Sequence, residues 1–157
     1  MNVKEQIIGT LRATGRENIE QVIDYMENYG FFTKSCHRHH RYRGGLADHA
    51  WQTYQIALER NTQGFDEQSI AICALLHDFC NCVGPFTITG HGQRSAGMLK
   101  ALGLHLSYDE FLAVRFHMSL RAHISHPCYN DARRCALRRL IHTADHESAK
   151  KRTGVEL

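Results

Sequence analysis

The feature that most constrains this chain is a short apolar segment that ends in a histidine and an aspartate. Residues 70–76 read Ile-Ala-Ile-Cys-Ala-Leu-Leu, and a helix that is apolar on every side is typical of the centre of a fold. Asp66 stands just before the segment as a candidate N-cap. His77 and Asp78 follow it directly. A carboxylate at the end of a buried helix is costly unless something compensates its charge, and a bound cation would do so.

Helical patterns flank this segment on both sides. Apolar residues recur at helical spacing within residues 3–29, 46–59 and 130–150. Ser107 and Glu110 have the spacing of a capping box that opens a further helix, and no segment alternates as a strand would. These patterns predict an all-α fold, a bundle of six or seven helices. The 157 residues fit one domain.

Composition and charge argue against several classes of protein. The formal net charge of +3 is too mild to indicate a nucleic-acid binder by itself. No apolar run approaches the roughly 18 residues of a membrane helix, and the N-terminus lacks a signal-like apolar segment, so we expect a cytoplasmic chain with no membrane contact. The six cysteines include no C-x-x-C pair, and we expect no disulfide framework in a cytosolic chain of this size. The unusual feature is the presence of twelve histidines.

Two groups of basic residues leave an interaction with phosphate or nucleic acid open. Residues 37–43, the His-Arg tract, contain three histidines and three arginines. This tract is predicted mainly as a solvated loop and otherwise as a wall of the binding pocket or a phosphate contact. The predicted last helix carries a basic stripe: Arg133, Arg134, Arg138 and Arg139. Because no aromatic residues interleave with this stripe, we interpret it as a solvated face rather than an RNA-binding surface.

Six histidine and aspartate side chains fall near the ends, or on the inward faces, of the predicted helices. They are His49, His77, Asp78, His91, His117 and Asp145. Imidazoles and carboxylates together are good ligands for divalent metals. One carboxylate can bridge two ions, and two ions roughly 3.5–4 Å apart can clamp a phosphate and supply a hydroxide. The pattern therefore predicts a metal site inside the bundle.

The order of these residues resembles the H…HD…D signature of the HD-domain superfamily of metal-dependent phosphohydrolases. Residues 44–49, Gly-Gly-Leu-Ala-Asp-His, are similar to the G-G-L-x-x-H motif of HD domains in bacterial 3′–5′ exoribonucleases. Three further elements resemble those of small stand-alone bacterial HD proteins: Gly90-His91-Gly92-Gln93-Arg94-Ser95, Arg115-Phe116-His117-Met118 and His142-Thr143-Ala144-Asp145. The resemblance covers about residues 40–148 and implies an HD-like bundle.

The resemblance also implies a dinuclear metal site whose two ions share the Asp78 carboxylate. The ligands that it implies for the first ion are His49, His77, Asp78 and Asp145. The additional ligands that it implies for the second ion are His91 and His117. Iron or manganese suits such a set of ligands, with zinc, nickel and magnesium as alternatives.

The activity that the resemblance implies is hydrolysis of a nucleotide or another small phosphoester by a metal-activated hydroxide. Asp78 would then be catalytic as well as a ligand. Arg94 is the first candidate for neutralising charge on the phosphate, and Arg115 is the second. Many superfamily members continue the HD doublet as H-D-x-x-K, but this chain has Asn81 in place of the lysine. An amide cannot supply the positive charge of a lysine.

Two other functions use the same residues. Some members of the superfamily with this set of ligands are di-iron oxygenases that act on C–H bonds. The chain could also be a non-catalytic, metal-binding regulatory module, and Asn81 is the one sequence feature that favours this interpretation. The residues do not indicate an oligomeric state.

Overall fold

The computed structural model describes residues 1–84 and 89–151, and all regular structure in these ranges is helical. The α-helices are α1 (Val3–Ala13), α2 (Ile19–Asn28), α3 (Gly45–Glu59), α4 (Glu67–Leu76), α5 (His91–Ala101), α6 (Tyr108–Arg115), α7 (Tyr129–Arg134) and α8 (Ala136–Lys150). Two short 3-10 helices span Phe79–Cys82 and Leu120–His123. The predicted all-α bundle is confirmed. None of the helices described is both long enough and apolar enough to cross a bilayer.

Helix α4 forms the centre of the bundle. Every residue from Ile70 to Leu76 is buried, and the helix packs against α1, α3, α6 and α8. Removing each of its leucine and isoleucine side chains from water contributes roughly 1.5–3 kcal/mol. The apolar run therefore fixes where α4 ends, and with it the position of His77 and Asp78.

The start of α3 depends on two consecutive glycines. Gly44 has a left-handed backbone (φ 86°), a conformation that glycine adopts without steric cost. A Cβ atom on Gly45 would lie 1.9 Å from the His40 carbonyl oxygen, so only glycine fits where the preceding loop crosses the helix. This close approach places His49, one turn further on, among the buried residues.

Helices α5 and α6 meet at Gly92. A Cβ atom there would lie 2.3 Å from the Arg115 carbonyl oxygen, so the start of α5 packs directly against the end of α6. The helix that Ser107 and Glu110 were predicted to open is α6, which ends at Arg115, where Phe116 leaves helical geometry (φ −116°, ψ 28°). The contact brings His91, the first residue of α5, next to His117.

The predicted last helix, from Asn130 to about Lys150, is two helices in the structure. Cys135 has an extended backbone (φ −65°, ψ 112°) that ends α7 and caps α8. Its sulfur accepts a hydrogen bond from the Arg138 amide at 3.4 Å. Because this break adds one element, the described residues form eight α-helices rather than six or seven.

Candidate metal centre

The six predicted ligands converge at one place inside the bundle. All six are buried, and they come from α3, the end of α4, the start of α5, the segment after α6, and α8. Their ligand atoms form overlapping groups of three within 4.8 Å of one another. The residues are His49, His77, Asp78, His91, His117 and Asp145. Apart from the adjacent His77 and Asp78, these residues are far apart in the sequence, so helix packing brings them together.

The two oxygens of Asp78 face different pairs of histidines. Oδ2 lies 3.6 Å from Nε2 of His77 and 3.9 Å from Nε2 of His49. Oδ1 lies 3.4 Å from Nε2 of His91 and 3.5 Å from Nε2 of His117. Asp78 therefore stands between two groups of nitrogen donors, as a carboxylate that serves two ions does.

The spacing of the donor atoms fits metal coordination. Nε2 of His49 lies 3.2 Å from Nε2 of His77 and 3.0 Å from Oδ1 of Asp145. In the other group, Nε2 of His91 lies 2.9 Å from Nε2 of His117. Ligands that bind one ion at about 2.0–2.2 Å in tetrahedral or octahedral geometry lie roughly 3–3.5 Å from each other. Both groups therefore suit one ion each.

Backbone hydrogen bonds orient two of the imidazoles. Nδ1 of His77 donates to the Ala74 carbonyl at 2.8 Å, and Nδ1 of His117 donates to the Val114 carbonyl at 2.7 Å. A neutral imidazole that carries its proton on Nδ1 presents a lone pair on Nε2. Both lone pairs then face the cluster, as metal coordination requires.

His49 is oriented by a side chain from α8. Its Nδ1 lies 2.9 Å from Oγ of Ser148, and the serine hydroxyl donates to the His49 carbonyl at 3.3 Å. With its hydroxyl proton directed to that carbonyl, the serine oxygen accepts from Nδ1 and leaves Nε2 free for an ion. Ser148 has no distinguishing signal in the sequence, because a lone serine in a helix does not indicate such a contact.

One of the two buried carboxylates, that of Asp78, lacks enough partners of its own. Oδ1 of Asp78 has no hydrogen bond to any residue that the structure describes, and a buried acceptor left without a donor costs about 1–3 kcal/mol or more when it is charged. Burial alone would raise the pKa of the Asp78 carboxyl, but His77 and His117 outweigh this effect and hold the pKa well below its ordinary value. The carboxylate stays ionised and requires positive charge beside it.

Without a metal, a proton supplies part of that positive charge. Burial alone would lower the pKa of His77, but Asp78 and Asp145 raise it to about 9. The pKa of Asp145 is lowered in turn, because hydrogen bonds from His49 and His77 outweigh its burial. An ion that binds here therefore displaces a proton from His77.

The cluster opens onto a cavity of about 220 Å³. Asp78, Asp145, His91 and His117 form its floor, and residues 36–39 form part of its wall. The His-Arg tract is thus largely exposed, as expected of a loop, and also walls the cavity, as the alternative interpretation held. Asn81 lines the cavity too.

The two arginines predicted to contact phosphate lie outside the lining of this cavity. Nη2 of Arg94 donates to the Val83 carbonyl at 3.1 Å. Nη2 of Arg115 lies 3.0 Å from Nε2 of His126, and its guanidinium lies 5.1 Å from the centre of the Phe116 ring. Their roles stay predictions. Arg38 lines the cavity instead, a placement that the sequence offered only as part of the His-Arg tract.

A buried cluster of four imidazoles and two carboxylates with this spacing can hold metal ions. Comparisons of the chain with known protein families, with curated proteins and with solved structures found no match. The function therefore has to be inferred from the chemistry of the cluster and its cavity.

Proposed function

We propose that this chain is a metal-dependent phosphohydrolase that holds two divalent ions, iron or manganese, and hydrolyses a small phosphoester such as a nucleotide. The observation that supports this proposal best is the division of the Asp78 oxygens between two pairs of imidazoles. The resemblance to HD-domain phosphohydrolases involves the same residues and implies the same chemistry.

Two ions bound side by side would polarise phosphoryl oxygens and lower the pKa of water to about 7. Hydrolysis adds the hydroxyl of water to phosphorus, breaks the ester P–O bond and leaves a proton to balance the departing alkoxide. The chain itself fixes the donor atoms, because hydrogen bonds from His77 and His117 to carbonyls hold their rings in place. Because the imidazole rings are already oriented, the site has to reorganise less during the reaction.

The cavity wall supplies the groups that meet the phosphate. The guanidinium of Arg38 can neutralise phosphoryl charge through charge-assisted hydrogen bonds, and the Asn81 amide can donate a hydrogen bond without adding charge. A cavity of about 220 Å³ is smaller than the roughly 300 Å³ and above of typical ligand pockets. The phosphoryl end of a substrate therefore fits over the cluster, and the remainder extends beyond it.

Elemental analysis and a phosphoester screen test the proposal. Protein purified without chelator or nickel resin should contain about two ions per chain and release phosphate from a nucleotide or an aryl phosphate. Asp78→Ala should lose both metal and activity, because Asp78 would serve both ions. His91→Ala should lose about one ion without unfolding. Asp24→Ala, which removes an exposed carboxylate, is the matched control and should retain both.

Two results would contradict the proposal. Full metal content in Asp78→Ala would show that the ligands are misassigned. Iron-loaded protein that consumes oxygen with an organic substrate, and releases no phosphate from any ester, would show that the cluster performs oxygenation instead.

A further inference from the structure

A second cavity, of about 610 Å³, adjoins the candidate metal centre. The two cavities share Cys36, His37 and Asn81 as lining residues, so they are neighbours on one surface. We propose that this second cavity binds a second phosphate group of the substrate, and that the substrate is a small molecule carrying two phosphates. This inference rests on the proposed function, since the other phosphate would be the one hydrolysed at the metal centre.

The charge of the second cavity supports an anionic ligand. Lys34, Arg41 and Arg43 line it, and its described lining includes no carboxylate. Within residues 1–84 and 89–151, none of these three cations forms an ion pair with a carboxylate. Like charges gathered in one concave surface raise the local potential and attract anions. A phosphate oxygen accepts hydrogen bonds from arginine in paired geometry.

The acidic residue that follows this loop in the sequence, Asp48, is already engaged. Oδ2 of Asp48 accepts a hydrogen bond from the Tyr42 hydroxyl at 2.7 Å, and Asp48 does not line the cavity. The positive charge of the cavity is therefore left for a ligand to balance.

The loop that carries the cations is held by its own backbone. The Cys36 amide donates to the His40 carbonyl at 3.2 Å, and the Leu46 amide donates to the Lys34 carbonyl at 3.0 Å. His40 has a left-handed backbone (φ 47°), a conformation that costs about 1–3 kcal/mol for a residue other than glycine and persists where its surroundings enforce it. Cationic residues on a loop fixed in this way lose less conformational entropy when they bind an anion than residues on a flexible loop would.

The shape of the molecule favours a small ligand over a nucleic acid. The cationic lining is confined to a cavity next to the metal centre, whereas the basic residues of α7, Arg133 and Arg134, line neither of these two cavities. A single-stranded nucleic acid needs a groove that follows its backbone, with aromatic side chains for stacking. Two adjoining cavities, one over the metal ligands and one lined by cations, instead suit a molecule with two phosphates.

Binding of pyrophosphate tests the anion site without requiring activity. Calorimetry at low salt on chelator-treated protein should show pyrophosphate binding, and Asp78→Ala should bind equally well because the metal cluster is not involved. Arg41→Gln/Arg43→Gln should bind at least about tenfold more weakly. Arg133→Gln/Arg134→Gln removes the same charge from exposed positions on α7 and should bind within about twofold of wild type. If the Arg41/Arg43 variant binds pyrophosphate as tightly as wild type does, or if wild type does not bind it, the proposed anion site is wrong.

A pair of substrates tests the role of the site in catalysis. On metal-loaded protein, a nucleoside 3′,5′-bisphosphate should be hydrolysed with a kcat/KM at least about tenfold above that of the matched 5′-monophosphate. The Arg41→Gln/Arg43→Gln variant should lose this preference, whereas the Arg133→Gln/Arg134→Gln variant should keep it.

The outcomes separate this inference from the proposed function. If pyrophosphate binding depends on Arg41 and Arg43 but no ester is hydrolysed, the anion site stands and the proposed function fails. If esters are hydrolysed with no preference for two phosphates, or an oligonucleotide is preferred to the bisphosphate, the proposed function stands and the inferred substrate is wrong.

Discussion

At the level of single residues, the histidines of the cluster differ in which group their Nδ1 atom contacts. His77 and His117 donate to carbonyls three residues earlier in their own segments, so their orientation follows from local backbone geometry. His49 instead contacts Ser148, which belongs to α8. Its orientation therefore depends on the packing of two helices, and one hydroxyl decides it.

Replacement of that serine tests how far the contact matters. We expect Ser148→Ala to weaken metal affinity by roughly 10–100-fold, because removing a group that orients a histidine ligand has an effect of that size. A chelator competition titration measures the change. Ser119→Ala, at an exposed position, is the control and should leave the affinity unchanged. Wild-type affinity in Ser148→Ala would mean that α8 contributes only Asp145 to the centre.

At the level of helices and loops, the sequence predicts what depends on local pattern and misses what depends on packing. The apolar run before His77 predicts the central helix, because no other environment suits it. The break at Cys135 has no local signal, since a cysteine does not usually end a helix. The path of residues 36–39 along the cavity depends on the left-handed His40 and the crossing at Gly45, neither of which hydrophobic periodicity reveals.

The candidate site likewise contains features that the sequence predicts and features that it does not. The convergence of His49 and Asp145 in one buried cluster could be predicted, because motif order and helical faces are sequence properties. The surroundings of Arg94 could not, because its hydrogen bond to the Val83 carbonyl depends on how the loop folds back. Arg38 lacked a distinguishing signal for the same reason.

The contact between α5 and α6 gives a prediction at this scale. Gly92→Ala should push the two helices apart, because the new methyl group would lie 2.3 Å from the Arg115 carbonyl oxygen. The expected cost is about 1–3 kcal/mol of stability, together with loss of about one bound ion as His91 moves away from His117. Chemical denaturation and elemental analysis measure the two effects.

Gly97→Ala on the same helix is the matched control. A methyl group there meets nothing within 4 Å, and alanine favours helix over glycine by roughly 1 kcal/mol. Its stability should therefore rise or stay level, with full metal content. Equal behaviour of the two variants would show that the close approach at Gly92 does not position His91.

At the level of the whole molecule, the cluster should make the stability of the chain depend on pH, and on metal if it binds ions as proposed. The pKa of His77 is raised to about 9, so the protonated imidazole contributes stability that is complete below about 6.5 and is lost as the pH rises through 9. The pKa values of Asp78 and Asp145 are lowered, so their contribution is lost as the pH falls below about 4. The metal-free chain should be most stable between these limits.

Denaturation at several pH values tests this expectation. The free energy of unfolding of metal-free wild type should fall between pH 6.5 and 9, and the fall should be smaller in His77→Gln. In metal-loaded protein the fall should disappear, because a cation replaces the proton. Metal-free protein that becomes more stable over this interval would contradict the assignment of a protonated His77.

The ligands come from helices that are distant along the chain, with His49 in α3 and Asp145 in α8. While a ribosome is still translating the message, a nascent polypeptide that lacks α8 offers His49 and His77 without the carboxylate and the serine that complete their surroundings. Such an intermediate would hold an ion weakly and exchange it readily. If the cluster binds metal as proposed, stable loading would have to wait until α8 has been synthesised and packed against α3, and the abundance of loaded protein would follow the supply of free metal where the chain folds.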